Sequence, residues 1–214
     1  MSSPAFFRPV AVLLGAYREQ RGFGGVGWRA SCMLRRVKLA FLTVGVLHEA
    51  VGQPRVQGFV DRVGAVYAAA DASVGFQARS IRDVDTWKHS WGEIVLPKCY
   101  PKFEADQVAM TLSLWNDLES VAAFSHHGAH GEALVHRKDW FQALGLPTYV
   151  AWWVPADHQV DWREGADRLD HLHAHGPTGF AFNFVKPFDA AGKPCPLDHV
   201  ALQAKKKSNA LARG

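Results

Sequence analysis

The order in which two hydrophobic periodicities follow one another is the feature of this chain that most limits its fold. Apolar and β-branched residues that alternate over a few positions predict strands, and apolar residues spaced three and four apart predict helices. Strand patterns cover residues 37–47, 76–81, 107–115 and 148–154, and helical patterns cover residues 55–71 and the stretch from about residue 117. This order is that of a repeated split βαβ unit, so we predict an α+β fold, a ferredoxin-like sandwich with an antiparallel sheet.

A further helix and a further strand are predicted after this unit. Asp161 opens a helical pattern with Glu164 three residues later, which is the spacing of a capping box. Phenylalanines then alternate with other residues, which predicts a closing strand over residues 179–185 with the rings on one face. The helices cover one sheet face, and a second copy of the chain is the usual cover for the other, so we expect a homodimer.

Both ends of the chain are expected to lie outside a domain that covers residues 33–190. Residues 1–32 contain a broken apolar run and a Gly/Arg-rich stretch, and we interpret them as a flexible extension or a mis-assigned start. A targeting role is the alternative for this segment. Residues 191–214 are polar and contain a lysine run, so they predict a basic tail.

Composition limits the classes of partner. The net charge of +4 comes mainly from the two ends, so the central domain has no basic surface typical of nucleic-acid binding. Three widely spaced cysteines form neither a disulfide framework nor a zinc motif, and we interpret them as reduced thiols of a cytoplasmic protein. The sequence has no apolar window long enough to predict a membrane span.

Four of the eleven histidines lie in the helical pattern after the third strand: His126, His127, His130 and His136. Gly128 and Gly131 predict a break or bend in this helix, followed by a second helical part over residues 132–143. His126 and His130 are four residues apart, but a zinc site needs further ligands, so we predict no metal site.

Three polar residues are the candidates for catalysis. His130 and His175 can transfer a proton near neutral pH without a metal. Arg137 can stabilise an oxyanion in the same pocket. The structural alternative is that His175 only caps the carbonyl groups of its helix and that Arg137 forms surface ion pairs.

Aromatic residues are the candidates for substrate binding. Trp115, Trp140, Trp152 and Phe182 are predicted to shape a pocket for a flat, apolar ligand. Adjacent tryptophans at 152 and 153 must point to opposite faces of their strand. The alternative is that these rings form the core of a dimer interface.

The loop over residues 82–106 is long for a compact domain and contains Trp87 and Trp91. Loops of this length are usually functional or disordered, and the tryptophans argue against disorder.

Several runs of this sequence resemble the DUF3291 family, over about residues 37–190. They are L-W-N-D-L-E-S-V-A-A-F, S-H-H-G-A-H, H-R-K-D-W-F, Y-V-A-W-W-V-P-A-D-H and L-H-A-H-G-P-T-G-F-A-F-N-F. The resemblance implies a dimeric α/β barrel, in a superfamily that includes cofactor-independent antibiotic-biosynthesis monooxygenases, heme-degrading monooxygenases, chlorite dismutases and small isomerases. The long loop at 82–106 and the histidines at 126, 127 and 136 depart from the family pattern.

The resemblance also implies an alternative ligand for a cofactor. In heme-degrading members of the superfamily, the axial histidine follows a core phenylalanine by twelve residues, and His136 follows Phe124 by that spacing. Imidazole is a suitable axial ligand for heme iron. The asparagine and tryptophan that accompany the heme in that group are not evident here.

We therefore expect a small-molecule enzyme without a cofactor. It would oxygenate, isomerise or cyclise a hydrophobic, aromatic or polyketide-like substrate. The alternatives are a heme protein of the same fold and a non-catalytic module that binds a small molecule. The sequence identifies neither the substrate nor the pathway.

Overall fold

The structure, a computed structural model, describes residues 37–83, 85–86 and 88–211. The expectations for residues 1–32 and for Trp87 fall outside the described residues. The strands are β1 (Val37–Val46), β2 (Phe76–Arg79), β3 (Val108–Trp115) and β4 (Tyr149–Pro155). The helices are α1 (Pro54–Asp71), α2 (Leu118–Ser125), α3 (Gly128–Val135), α4 (Arg137–Trp140), α5 (Trp162–His175) and α6 (His199–Leu211), and a short 3-10 helix covers Ala105–Gln107. Among these helices, none is long and apolar enough to cross a membrane.

The four strands form one open antiparallel sheet in the order β2-β3-β1-β4. In the centre, Leu42 of β1 lies opposite Leu112 of β3 and Val150 of β4. Residues opposite one another share a face, so this register places three apolar side chains together in the core. The predicted α+β class and antiparallel sheet are confirmed.

The same chain covers both faces of this sheet, whereas a second copy was expected on one of them. On one face, Leu42 and Trp152 pack against α5 and against the segment that contains Tyr100. Helix α5 approaches closely because it has a glycine at the contact: a Cβ on Gly165 would lie 3.3 Å from Leu42. On the other face, a separate cluster that includes Trp115 packs against α1 and α2.

The helix after β3 is divided in two places. Asp117 accepts a hydrogen bond from the backbone of Ser120 and begins α2, which ends at Ser125. The predicted break is confirmed, and Gly131 explains it: a Cβ there would lie 2.8 Å from the His126 carbonyl oxygen. The predicted continuous helical part over residues 132–143 is wrong, because α3 ends at Val135 and α4 ends at Trp140.

The predicted closing strand over residues 179–185 is also wrong. This segment forms one isolated bridge, between Phe182 and Ala151 of β4. The Asn183 side chain accepts hydrogen bonds from the backbone N–H groups of Val185 and Lys186. These bonds turn the chain away from β4. The phenylalanines do not share a face: Phe182 is fully buried, whereas Phe180 is 48% exposed.

The expected polar tail contains the helix α6. Leu202 of α6 is buried against α2, and Lys205 forms an ion pair with Asp117 at 3.1 Å. Asn209 is also buried, and its Oδ1 accepts a hydrogen bond from the backbone N–H of Val74. The sequence did not predict this helix, because the helix contains a lysine run and has a narrow apolar face.

Candidate functional site on helix α5

The three predicted catalytic residues do not converge. His130 of α3 packs against Phe124, on the sheet face covered by α1 and α2. His175 ends α5, the helix that covers the opposite face. Arg137 is exposed, and its Nη1 donates a hydrogen bond to the carbonyl of Leu134. One substrate therefore cannot touch all three in this chain.

His130 is held in place by its local structure. Its Nδ1 lies 2.7 Å from the carbonyl oxygen of Ser125, and the ring centroid lies 4.8 Å from that of Phe124. Burial lowers the pKa of His130, and the neighbouring His126 lowers it further, although the bond to Ser125 acts in the other direction. The imidazole is thus suited to closing the α2–α3 junction in its neutral form.

The predicted pocket aromatics are buried in three different clusters. Trp115 and Phe182 lie in one cluster, Trp152 in the cluster beneath α5, and Trp140 in a third with Leu47 and Val56. Each of the four is at most 6% exposed. They form core rather than the wall of a shared chamber. Trp152 and Trp153 do point to opposite faces, as predicted, because they pack in different clusters.

His136 lies at the surface between α3 and α4. Its side chain is 49% exposed, its Nδ1 is 3.3 Å from Asp139 Oδ2, and its ring lies against Trp140. The hypothesis that His136 binds heme stays a prediction. In the described part of the chain, no three His, Cys, Asp or Glu residues are grouped so that they could hold a metal ion.

A different set of polar residues meets on α5, around Glu164. Glu164 Oε1 accepts hydrogen bonds from Trp152 Nε1 at 2.9 Å and from Arg168 Nη2 at 3.0 Å. Glu164 Oε2 accepts one from His158 Nε2 at 2.7 Å. Arg168 also donates to the carbonyl of Phe180 at 2.7 Å, and its guanidinium lies 3.7 Å from the centre of that ring. We call Trp152, His158, Glu164 and Arg168 the Glu164 network.

Within this network, His158 is the residue that can exchange a proton with a bound molecule. A carboxylate only accepts, so the bond to Glu164 places a ring hydrogen on Nε2, and in the neutral imidazole the lone pair is then on Nδ1. The His158 side chain is 41% exposed, and its Nδ1 has no hydrogen-bond partner in the described residues. Glu164 therefore orients His158 as a carboxylate orients a catalytic histidine.

A second histidine, His171, lies two helical turns after Glu164 on α5. His171 Nε2 is 3.1 Å from Thr178 Oγ1, and its ring packs edge-on against Phe180 at 4.8 Å. Burial, followed by the positive charges of His175 and Arg168, lowers the pKa of His171. The half-exposed ring of Phe180 thus contacts both Arg168 and His171.

Local sequence explains how these side chains are brought together. Asp161 accepts a hydrogen bond from the Glu164 backbone and begins α5, so Glu164 is fixed in the first turn beside β4. Gly176 adopts a φ of 70° after the helix, a conformation that favours glycine. Thr178 and Ala181 then exchange backbone hydrogen bonds, which returns the chain to α5 with Phe180 at the tip.

The model of the DUF3291 family, a domain of unknown function, matches residues 38–197. The chain belongs to the DUF3291 family. Two of the runs that carry the DUF3291 resemblance contribute to this site: the run with A-W-W-V-P and His158, and the run with H-G-P-T and Phe180. The structure brings the two runs into contact through Arg168.

Other comparisons add little to the DUF3291 match. No curated protein is similar enough in sequence to count as a relative. The crystal structure of NE2512, a protein of unknown function from Nitrosomonas europaea, is similar with a TM-score of 0.35 and 12% identity. That likeness covers 58% of this chain and 93% of the other.

Sequence reasoning missed His158, Arg168 and His171, and it treated Glu164 only as a capping residue. A signal was present: residues 164, 168, 171 and 175 are spaced four, three and four apart, so they form one polar stripe on a helix. The partner of that stripe could not be inferred, because His158 and Phe180 lie on irregular segments.

Proposed function

We propose that this protein is an enzyme that removes a proton from carbon in a hydrophobic, aromatic or polyketide-like small molecule, without a cofactor. His158 is the base, and Glu164 orients it. The observation that carries the proposal is the 2.7 Å bond between Glu164 and Nε2 of His158, because the His158 side chain is 41% exposed and its Nδ1 has no partner among the described residues. Removal of such a proton is the first step shared by isomerisation, cyclisation and cofactor-independent oxygenation.

The substrate lies across the exposed ring of Phe180 in this proposal. An aromatic surface with a few polar groups suits a flat apolar ligand. Arg168 can stabilise the enolate oxygen that forms when the proton leaves, because only two of its five N–H groups have partners among the described residues. When it is protonated, His171 can return a proton at another position of the substrate, and its lowered pKa makes the imidazolium a stronger acid.

The ferredoxin-like fold and the homodimer are proposals of the same kind. The antiparallel order β2-β3-β1-β4 supports the ferredoxin-like assignment, since two interleaved split βαβ units give this order. Because α5 packs on the sheet face that a barrel partner would cover, we propose that any homodimer pairs through another surface.

The test is exchange of carbon-bound hydrogen in D2O, followed by NMR over a panel of aromatic ketones and β-diketones. We expect the wild-type protein to catalyse exchange in one of them, and His158→Ala to lower the rate about 100-fold or more. His173→Ala is the matched control, because His173 is an exposed residue of α5 without a polar contact in the described residues. Circular dichroism checks that both variants fold.

Two results would contradict this proposal. One is an exchange rate that His158→Ala and His173→Ala leave equally unchanged. The other is binding of panel compounds without exchange, which would favour the non-catalytic binding module.

A further inference from the structure

A second polar and aromatic surface lies at the start of α5, where the segment over residues 91–95 passes the helix. It is a cleft of about 240 Å³. Five of the residues that line it can bind a ligand: Trp91, Glu93, Asp161, Trp162 and Arg163. We call it the Trp91 cleft. None of the five belongs to the Glu164 network.

Polar groups without a partner lie at or beside the residues that line the Trp91 cleft. Trp162 is 1% exposed, yet its Nε1–H has no partner in the described residues. The buried Nδ1 of His89, whose ring packs edge-on against Trp162 at 5.3 Å, also has none. The backbone N–H groups of Trp162 and Arg163 begin α5 without an acceptor in the described part of the chain. A buried donor without an acceptor costs about 1–3 kcal/mol, and a bound ligand is one way in which such a group is satisfied.

Charged groups of both signs border the cleft. Asp161 Oδ1 accepts the capping hydrogen bond from the Glu164 backbone, and Oδ2 has no partner among the described residues. Glu93 and Arg163 form no ion pair with each other or with another described residue, although both line the same cleft. Two carboxylates and one guanidinium therefore remain open to a ligand that has both a positive and a negative group.

We propose that the Trp91 cleft binds a small zwitterion, an α-amino acid with an apolar or aromatic side chain. The carboxylate of the ligand accepts hydrogen bonds from Arg163, from the first N–H groups of α5 and from Trp162 Nε1. Its ammonium group donates to Glu93 and Asp161. Its side chain packs against Trp91. Because Trp162 Nε1 is buried, its bond to the ligand requires neighbouring side chains to move aside.

The experiment compares phenylalanine with two analogues that each lack one charge, phenethylamine and 3-phenylpropanoate. The probe is the indole N–H resonance of Trp162 in NMR titrations of the full chain up to about 10 mM ligand. We expect phenylalanine to bind with a Kd of about 1 mM and to shift this resonance. Each analogue should bind about tenfold more weakly, because one set of charge-assisted hydrogen bonds is lost.

Matched variants assign the contacts. Trp162→Phe removes the indole N–H and keeps an aromatic ring. It should therefore weaken the binding of phenylalanine about tenfold and leave the binding of phenethylamine unchanged. Glu93→Gln should weaken the binding of both compounds that carry an ammonium group. Glu104→Gln changes another exposed glutamate of the same loop and should weaken the binding of neither. Arg163→Met tests the contact with the ligand carboxylate at an exposed position. For these variants, binding is followed by shifts of other cleft resonances.

The proposal is overturned if phenylalanine does not bind, if the three compounds bind equally, or if the cleft variants behave like Glu104→Gln. The hydrogen-exchange assay on His158 is independent of this outcome, because no residue of the cleft belongs to the proposed proton-transfer site.

Discussion

The histidines of the α2–α3 region and those around α5 lie on opposite faces of the sheet and differ in their partners. His130 is held by a backbone carbonyl and a phenylalanine ring, and no carboxylate orients it. His158 is held by the carboxylate of Glu164, which is itself fixed by Trp152 and Arg168. The number of histidines in a stretch is therefore a poor guide to a site, and a fixed carboxylate partner is a better one.

The largest expected effect tests whether the Glu164 network contributes more to the free energy of unfolding than the α2–α3 region does. Glu164→Ala leaves the buried Trp152 N–H without an acceptor and removes a partner of Arg168, so we expect a loss of about 2–3 kcal/mol in the free energy of unfolding. Glu132→Ala in α3 is the control, since Glu132 is exposed and has no hydrogen bond or ion pair in the described residues. It should change stability by less than about 0.5 kcal/mol in urea denaturation. Equal effects would remove the contrast.

The second effect concerns pH and His130. Its pKa is lowered in the folded protein, so below the ordinary histidine pKa of about 6.5 the unfolded chain binds a proton that the folded chain does not. Stability from this group is complete above that pH and falls as the pH drops towards the lowered pKa.

His130→Leu removes this titration. At neutral pH, we expect the unfolding free energy of the variant to be about 1 kcal/mol lower, because the bond to Ser125 is lost. Below pH 6.5, its unfolding free energy should fall less steeply than that of the wild type. Urea denaturation at a series of pH values measures both quantities. A variant that keeps the full acid dependence would show that His130 is not held neutral by the fold.

The smallest effect is expected at His136. Its contacts with Asp139 and Trp140 are exposed, so His136→Ala should change the unfolding free energy by less than about 0.5 kcal/mol. The same variant also tests, when heme is added, whether the α2–α3 region binds this cofactor. A heme absorption band that disappears in His136→Ala would give the α2–α3 region a ligand and support the heme hypothesis.

Much of the fold could be predicted because it depends on local periodicity. The dense run of apolar and β-branched residues over 37–47 is enough to predict β1, and the alternation over residues 107–115 is enough to predict β3. The cap at Asp161 is enough to begin α5. The segment over residues 179–185 alternates equally well. It is not a strand, because the Asn183 side chain competes for the backbone N–H groups that a ladder would need.

The candidate site was harder to predict because its members come from separate segments. The sequence marks the runs that contain His158 and Thr178, but it does not show that both meet α5. Trp152 illustrates the difficulty: as a strand tryptophan it could line a pocket, and only the packing of α5 over it makes it core, with its N–H bound to Glu164.

By itself, the sequence of this DUF3291 protein determined an α+β chain with an antiparallel sheet, because hydrophobic periodicity and helix caps act over a few neighbouring residues. The tertiary structure alone decided which polar groups meet. Hydrogen bonds such as those of Glu164 with Trp152 and His158 join residues on different elements, and their geometry exists only after α5 has packed on the sheet.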